Sequence, residues 1–136
     1  MRKSVCNLTV RGYELDSFGH VNNAVYLNYA ENAVWNFFHS ISHLMDATLG
    51  SGLFPVVLES TQRYMHELRL FEEVRIESEF SCSNGLLKYK HLIINESTGL
   101  TSCKVTGKIA FVNKEHMICD IPDEVLRYLE GDEDEH

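Results

Sequence analysis

Between Ala24 and about Leu49 the chain has neither glycine nor proline, and its apolar residues recur at Leu27, Ala30, Val34, Phe37, Ile41 and Leu44. Those alternating steps of three and four place them on one side of a helix, widened by Tyr26, Ala33, Phe38 and Met45. Asn28, Asn32, Asn36, His39 and His43 fall on another side, and Gly50 and Gly52 supply a stop. A single long helix with so broad an apolar side cannot stand alone. It needs a large surface to cover it.

The rest of the chain supplies one. Residues 5–12 alternate weakly and read as a strand. After the helix the period switches to two, over residues 56–66 and, most cleanly, over residues 74–82, where Val74, Ile76, Ser78 and Phe80 oppose Arg75, Glu77, Glu79 and Ser81. Ser83-Asn84-Gly85 turns the chain into a strand from Leu86 to Ile94, and Ser97-Thr98-Gly99 turns it again into one from Thr101 to Val112. Gly107, inside that last strand, signals a bulge or a close backbone approach. A short helix follows from about Pro122 to Leu129. The expected fold class is therefore α+β, a five-stranded antiparallel sheet wrapped around one long central helix, in a single domain over residues 1–129. Its exposed edges and open face favour a homodimer or a dimer of dimers.

Several function classes are disfavoured. Hydrophobic residues at 44% and charged residues at 24% give ample core for 136 residues, so disorder is not the main state. The net charge of −8 is concentrated at one end: five of the 20 acids fall in residues 130–136, which reads as a solvated, disordered tail. The remaining 15 acids against 12 basic residues leave the body nearly neutral, unlike a nucleic-acid binder. No apolar run reaches the length of a membrane span. Met1-Arg2-Lys3-Ser4 leads into a strand pattern rather than an apolar leader, so the cytoplasm is expected. Cys6, Cys82, Cys103 and Cys119 are scattered and read as buried reduced thiols. His39 and His43 stand i, i+4 but without a third ligand, which favours a polar surface pair over a metal site.

Ahead of the helix lies the most specific stretch, Asp16-x-x-Gly19-His20-Val21-Asn22-Asn23-x-x-Tyr26. With its flanks from Arg11 to Trp35 it resembles the hotdog-fold acyl-CoA thioesterases of the 4-hydroxybenzoyl-CoA thioesterase type, and most of all the bacterial long-chain acyl-CoA thioesterases. The element order is similar up to Ile121-Pro122. The resemblance implies hydrolysis of a fatty or aromatic acyl thioester by the carboxylate at Asp16, as nucleophile or general base. It also implies an oxyanion donor in the backbone N–H at Asn23, and it calls for no cofactor and no metal.

The residues themselves are compatible with that chemistry. Thioester hydrolysis needs a base or nucleophile, a water, and donors for the developing oxyanion. Asp16 sits a few residues before a helix whose first-turn N–H groups are unsatisfied and whose dipole adds positive potential. The plainer account of Asp16 is a loop aspartate closing an Asx turn. Gly19, His20 and Tyr26 belong to the same stretch, His20 as a structural hydrogen bonder before a catalyst. Glu59 is a second carboxylate to watch, on the strand that would run beside the helix. The Asn84-Gly85 turn carries no charge to meet a coenzyme A phosphate, although its N–H groups could form an anion nest, and Arg63, Lys88 and Lys90 are substitutes. Acyl carrier protein is thus an alternative carrier to coenzyme A. A non-catalytic acyl-CoA-binding regulator is the alternative of another class, and the presence of Asp16 counts against it.

Overall fold

In the computed structural model the described residues are 1–41 and 52–131. Period-two burial builds the sheet: along β3 (Glu73–Ser83) and β4 (Leu86–Asn95) every second side chain is buried, and β1 (Arg2–Thr9), β2 (Phe54–Tyr64) and β5 (Thr101–Val112) complete five long strands. All pairings are antiparallel, in the order β1-β3-β4-β5-β2. A two-residue β6 (Ile118–Cys119) pairs with the end of β5, so the sheet has six strands where five were expected. The helix α1 (Val25–His39) lies on the inner face, and α2 (Asp123–Leu129) follows β6.

The helix is shorter than its periodicity suggests. It ends at His39, where the Ser40 N–H is shared between the carbonyls of Asn36 and Phe37 and the Ser40 hydroxyl donates to Asn36 O. Serine and asparagine side chains that bond nearby backbone offer the chain an exit from the helix. Ile41 is nonetheless buried, so the apolar pattern runs on past the end of the helix. Residues 42–51, on which the rest of the expected helix, His43 and Gly50 fall, lie outside the described residues, as do residues 132–136 of the expected tail. The buried side of α1 is the expected one, with two exceptions. Tyr29 is fully buried, whereas Leu27 is 45% exposed. Phe37 stacks on Phe80 of β3, with ring centroids 3.7 Å apart, and anchors helix to sheet.

Three strand features bear on function. Gly107 stands in register opposite Tyr89, whose ring lies over it so closely that a Cβ would overlap the phenol. Gly107→Ala is expected to destabilise by about 1–3 kcal/mol, as overpacking does. A denaturant midpoint matching that of the unsubstituted protein would show instead that Tyr89 moves aside freely. On β2 the register shifts between Val57 and Glu59, a bulge at Leu58. Finally, Cys82 is exposed rather than buried, because it lies two residues beyond Phe80, the last residue of β3 that β1 covers.

Candidate active site

The loop between β1 and α1 is fixed by its own hydrogen bonds. Gly19 takes a positive φ of 81°, which a glycine adopts without strain. The chain can then double back, so that Asp16 N–H donates to His20 O at 2.8 Å and Gly19 N–H to Asp16 O at 3.1 Å. The Asp16 carboxylate closes the same turn: its Oδ1 accepts from the N–H of Phe18 (2.8 Å) and of His20 (3.2 Å). The Asx turn is therefore present, and it uses only one carboxylate oxygen. Oδ2 has no partner among the described residues.

A second set of contacts clamps this loop to α1. Glu14, 5% exposed, accepts from the Arg11 N–H at 2.8 Å, from the Arg11 guanidinium at 2.9 Å and from the Tyr29 hydroxyl of α1 at 2.7 Å. Burial by itself would raise the Glu14 carboxyl, but the bonds from the Arg11 backbone, Tyr29 and the Arg11 guanidinium outweigh it and hold it below its usual range. Asn22 N–H donates to Glu14 O, and Asn22 Oδ1 accepts from Ala24 N–H at the approach to the helix. The intervening Asn23 N–H has no acceptor among the described residues. It sits one residue before the helical turn begins to bond, where N–H groups and the helix dipole favour negative charge.

These parts meet in a cleft of about 220 Å³, lined by Asp16, His20, Asn23, Tyr26, Tyr64 and Glu67 among others. Tyr64, from the end of β2, donates its hydroxyl to Asn23 O at 3.2 Å and packs edge-on against Tyr26. Burial pushes the Tyr26 phenol up to about 12, so it stays protonated. His20 turns its Nε2 toward Glu67 Oε2, at 3.6 Å, and the Arg69 guanidinium donates to the same oxygen at 2.6 Å. Arg69 first, then His20, keep Glu67 below the usual carboxylate range.

Of the residues singled out in the sequence, Asp16, His20, Asn23 and Tyr26 line this cleft, and Gly19 shapes its loop. Four others stand elsewhere in this chain. The bulge at Leu58 shifts the phase of β2, so that Val57 and Ser60 face α1 while Glu59 points outward, 63% exposed, 3.8 Å from Lys108. Glu59 is thus a surface-facing strand residue, turned outward by that one extra residue. Arg63 is exposed, opposite Lys104 in the register. Asn84 and Gly85 form the β3–β4 turn at the far end of an eleven-residue strand, about 30 Å of strand from the end where the Asp16 loop begins. Glu14, Tyr29, Tyr64 and Glu67 are site residues that sequence reasoning missed. Only the Arg11-x-x-Glu14 spacing, a local pairing of opposite charges in a loop, could have signalled one of them.

Separate from the cleft, a groove of about 520 Å³ runs along the seam between α1 and β2, with Leu27, Ala30, Glu31, Val34 and Phe38 on one side and Pro55 and Val57 on the other.

Comparison with known proteins gives a consistent picture. A family model described as the thioesterase-like superfamily matches residues 10–129. The chloroplastic acyl-acyl carrier protein thioesterase ATL3 of Arabidopsis thaliana is 29% identical over 119 residues. That match takes in 87% of this chain but 63% of the plant protein, so the chain spans less than two-thirds of this relative's length. Among solved structures, YbaW of Escherichia coli, described as a probable thioesterase, superposes with a TM-score of 0.80 at 24% identity, covering 93% of this chain and 96% of that one. The Staphylococcus aureus protein SAV2348, solved in complex with CoA, gives 0.84 at 16% identity, covering 95% and 85%. At such identities the likeness is one of fold, and the fold is the hotdog.

Proposed function

The chain belongs to the thioesterase-like superfamily, and on that premise we propose that it hydrolyses acyl thioesters, with Asp16 as the working carboxylate. One observation carries this reading. In a single cleft the Asp16 turn leaves Oδ2 uncommitted, and the Asn23 N–H at the head of α1 is without an acceptor. A thioester carbonyl placed between them meets a carboxylate and an oxyanion donor. As general base, Asp16 takes a proton from water while the water oxygen bonds to the carbonyl carbon. The tetrahedral oxyanion then collapses, expels the thiolate, and the proton passes to sulfur. As nucleophile, Asp16 displaces the thiolate to give a mixed anhydride, which water then cleaves. Both routes use the free Oδ2.

The acyl group we propose is a medium- to long-chain fatty acyl, in keeping with the resemblance to long-chain acyl-CoA thioesterases. The seam groove supports this: from Leu27 to Phe38 it follows α1 for roughly 17 Å at about 1.5 Å per residue, and its walls are largely apolar. Coenzyme A is the proposed carrier, because SAV2348, which shares this fold, binds it. ATL3, whose name specifies acyl carrier protein, supports the second reading. We also propose a homodimer, since among the described residues β2 pairs on one side only and exposes Phe54, Val56, Val57 and Leu58.

Acetyl, octanoyl, lauroyl and palmitoyl groups presented on coenzyme A and on acyl carrier protein test these choices by thiol release. Lauroyl-CoA is expected to exceed acetyl-CoA in kcat/KM by at least about a hundredfold, because several methylenes enter the groove at about 0.8 kcal/mol each. Acetyl-CoA as the best substrate would contradict the chain length, and faster turnover of the carrier-protein series would contradict the carrier.

A further inference from the structure

An imidazole with an unengaged nitrogen stands in the Asp16 cleft. His66, just beyond the end of β2, lines that cleft together with Asp16, Asn23 and Tyr64. The chain is anchored there to the start of β5, since the N–H groups of Met65 and His66 both donate to Ser102 O, at 2.8 and 3.2 Å. The ring is fixed on the same strand, with its Nδ1 3.1 Å from Thr101 O. A carbonyl oxygen carries no proton, so in that bond Nδ1 is the donor. The nitrogen left to serve the cleft is Nε2, which has no partner among the described residues.

Other proton-bearing groups of the cleft are committed. His20 turns its Nε2 toward Glu67, whose Oε2 also accepts from Arg69, and Tyr64 donates its hydroxyl proton to Asn23 O. Asp16 has its own task in either route. As nucleophile it is bound into the anhydride and carries no proton, so the departing sulfur has to receive one from another group. An alkyl thiol such as that of cysteine is mostly protonated at neutral pH, so the thiolate does take one up.

We infer that His66 is a further catalytic residue, which delivers a proton from Nε2 to the departing thiolate sulfur. This rests on the proposed thioester hydrolysis and names the group that completes its proton transfers. As the C–S bond breaks, its electron pair stays on sulfur and the Nε2 proton joins it, leaving the free thiol and a neutral imidazole. In either route the water that is consumed supplies the proton that returns to Nε2 once the fatty acid has formed. Throughout, the Nδ1 proton stays on Thr101 O, so the ring does not have to turn.

The test is His66→Asn in the full chain. The asparagine amide can donate to Thr101 O as Nδ1 does, but it has no group at the Nε2 position and cannot carry a proton. Turnover is measured on two substrates with the same acyl group, lauroyl-CoA and the 4-nitrophenyl thioester of lauric acid, whose aryl thiolate leaves without a proton. On lauroyl-CoA kcat is expected to fall about a hundredfold, the lower end for acid catalysis because a thiolate is already a fair leaving group, with KM within a few-fold. On the aryl thioester kcat should stay within a few-fold of that of the unsubstituted protein. An equal loss on both thioesters would mean that His66 only shapes the cleft, and would overturn the inference. So would no loss on either, or a change confined to KM. Should melting curves show that His66→Asn does not fold, the same pair of substrates on His66→Gln decides in the same way. Absence of turnover on both substrates by the unsubstituted protein is a separate outcome, which refutes the thioesterase reading and the role of His66 with it.

Discussion

Asp16→Asn is expected to lower turnover on a long-chain acyl-CoA at least about a hundredfold while substrate binding stays within a few-fold. The substitution leaves the turn intact, because the amide oxygen can still accept from the N–H groups of Phe18 and His20 as Oδ1 does. It removes the charge on Oδ2, the atom that either attacks the thioester or deprotonates water. Asn23→Ala is expected to do much less, since the donor at that position is a backbone N–H that the substitution retains. Steady-state kcat and KM for the two variants, with melting curves to show that both fold, provide the comparison. Near-normal turnover in Asp16→Asn would remove Asp16 from the mechanism. Glu67, the other carboxylate in the cleft, would then be the next to test, ahead of the outward-facing Glu59.

The largest expected loss of stability comes from Glu14→Ala. Glu14 accepts from Arg11 N–H, the Arg11 guanidinium and the fully buried Tyr29, and truncation leaves the Tyr29 hydroxyl and the Arg11 N–H without their acceptor. Stranding a buried donor and half of a partly buried ion pair costs about 2–4 kcal/mol, with the half-exposed Arg11 guanidinium keeping the figure below that of a fully buried pair. For a chain of this size that is a fall in melting temperature on the order of 10 °C. Turnover should fall as well, because the Glu14 carboxylate bonds Tyr29 of α1 and so ties the loop that carries Asp16 to the helix.

The pH dependence has a definite sign. Glu14 is held below its ordinary value of 4.5, so its contribution is complete above that pH and is lost as the pH falls through the depressed folded value. The stability gap between the unsubstituted protein and Glu14→Ala should therefore be constant near neutrality and narrow below about pH 4.5. A gap that stays the same down to pH 3 would mean that the carboxylate's charge is not what holds the clamp.

Where the sequence was legible, a local period was at work. Alternation placed β3 and β4 to within a residue, since each inward side chain packs on the helix and each outward one meets solvent. Gly107 was readable because an interior strand glycine has few causes, and a ring lying over it is one of them. The motif from Asp16 to Tyr26 located the cleft because one short segment supplies the loop, the carboxylate and the helix start. Illegible features came from contacts between distant parts of the chain or from a hidden change of phase. The end of α1 at His39 left no mark, because Ile41 stays apolar and buried beyond it. Val56-Val57-Leu58 is apolar throughout, so the bulge that turns Glu59 outward does not interrupt any alternation. Glu14 finds Tyr29 fifteen residues on, and Tyr64 finds Asn23 across 41 positions; neither separation carries a pattern.

The central claim is that this cleft cleaves a thioester rather than merely holding an acyl ligand. Incubating the purified chain with a hundredfold excess of lauroyl-CoA, and counting free thiol and free acid together, tests that most directly. The account predicts both products in equal amounts, accumulating far beyond one equivalent of protein and only when the Asp16 carboxylate is present. Saturable binding of lauroyl-CoA with neither product released would contradict it and leave a ligand-binding protein on a hotdog fold.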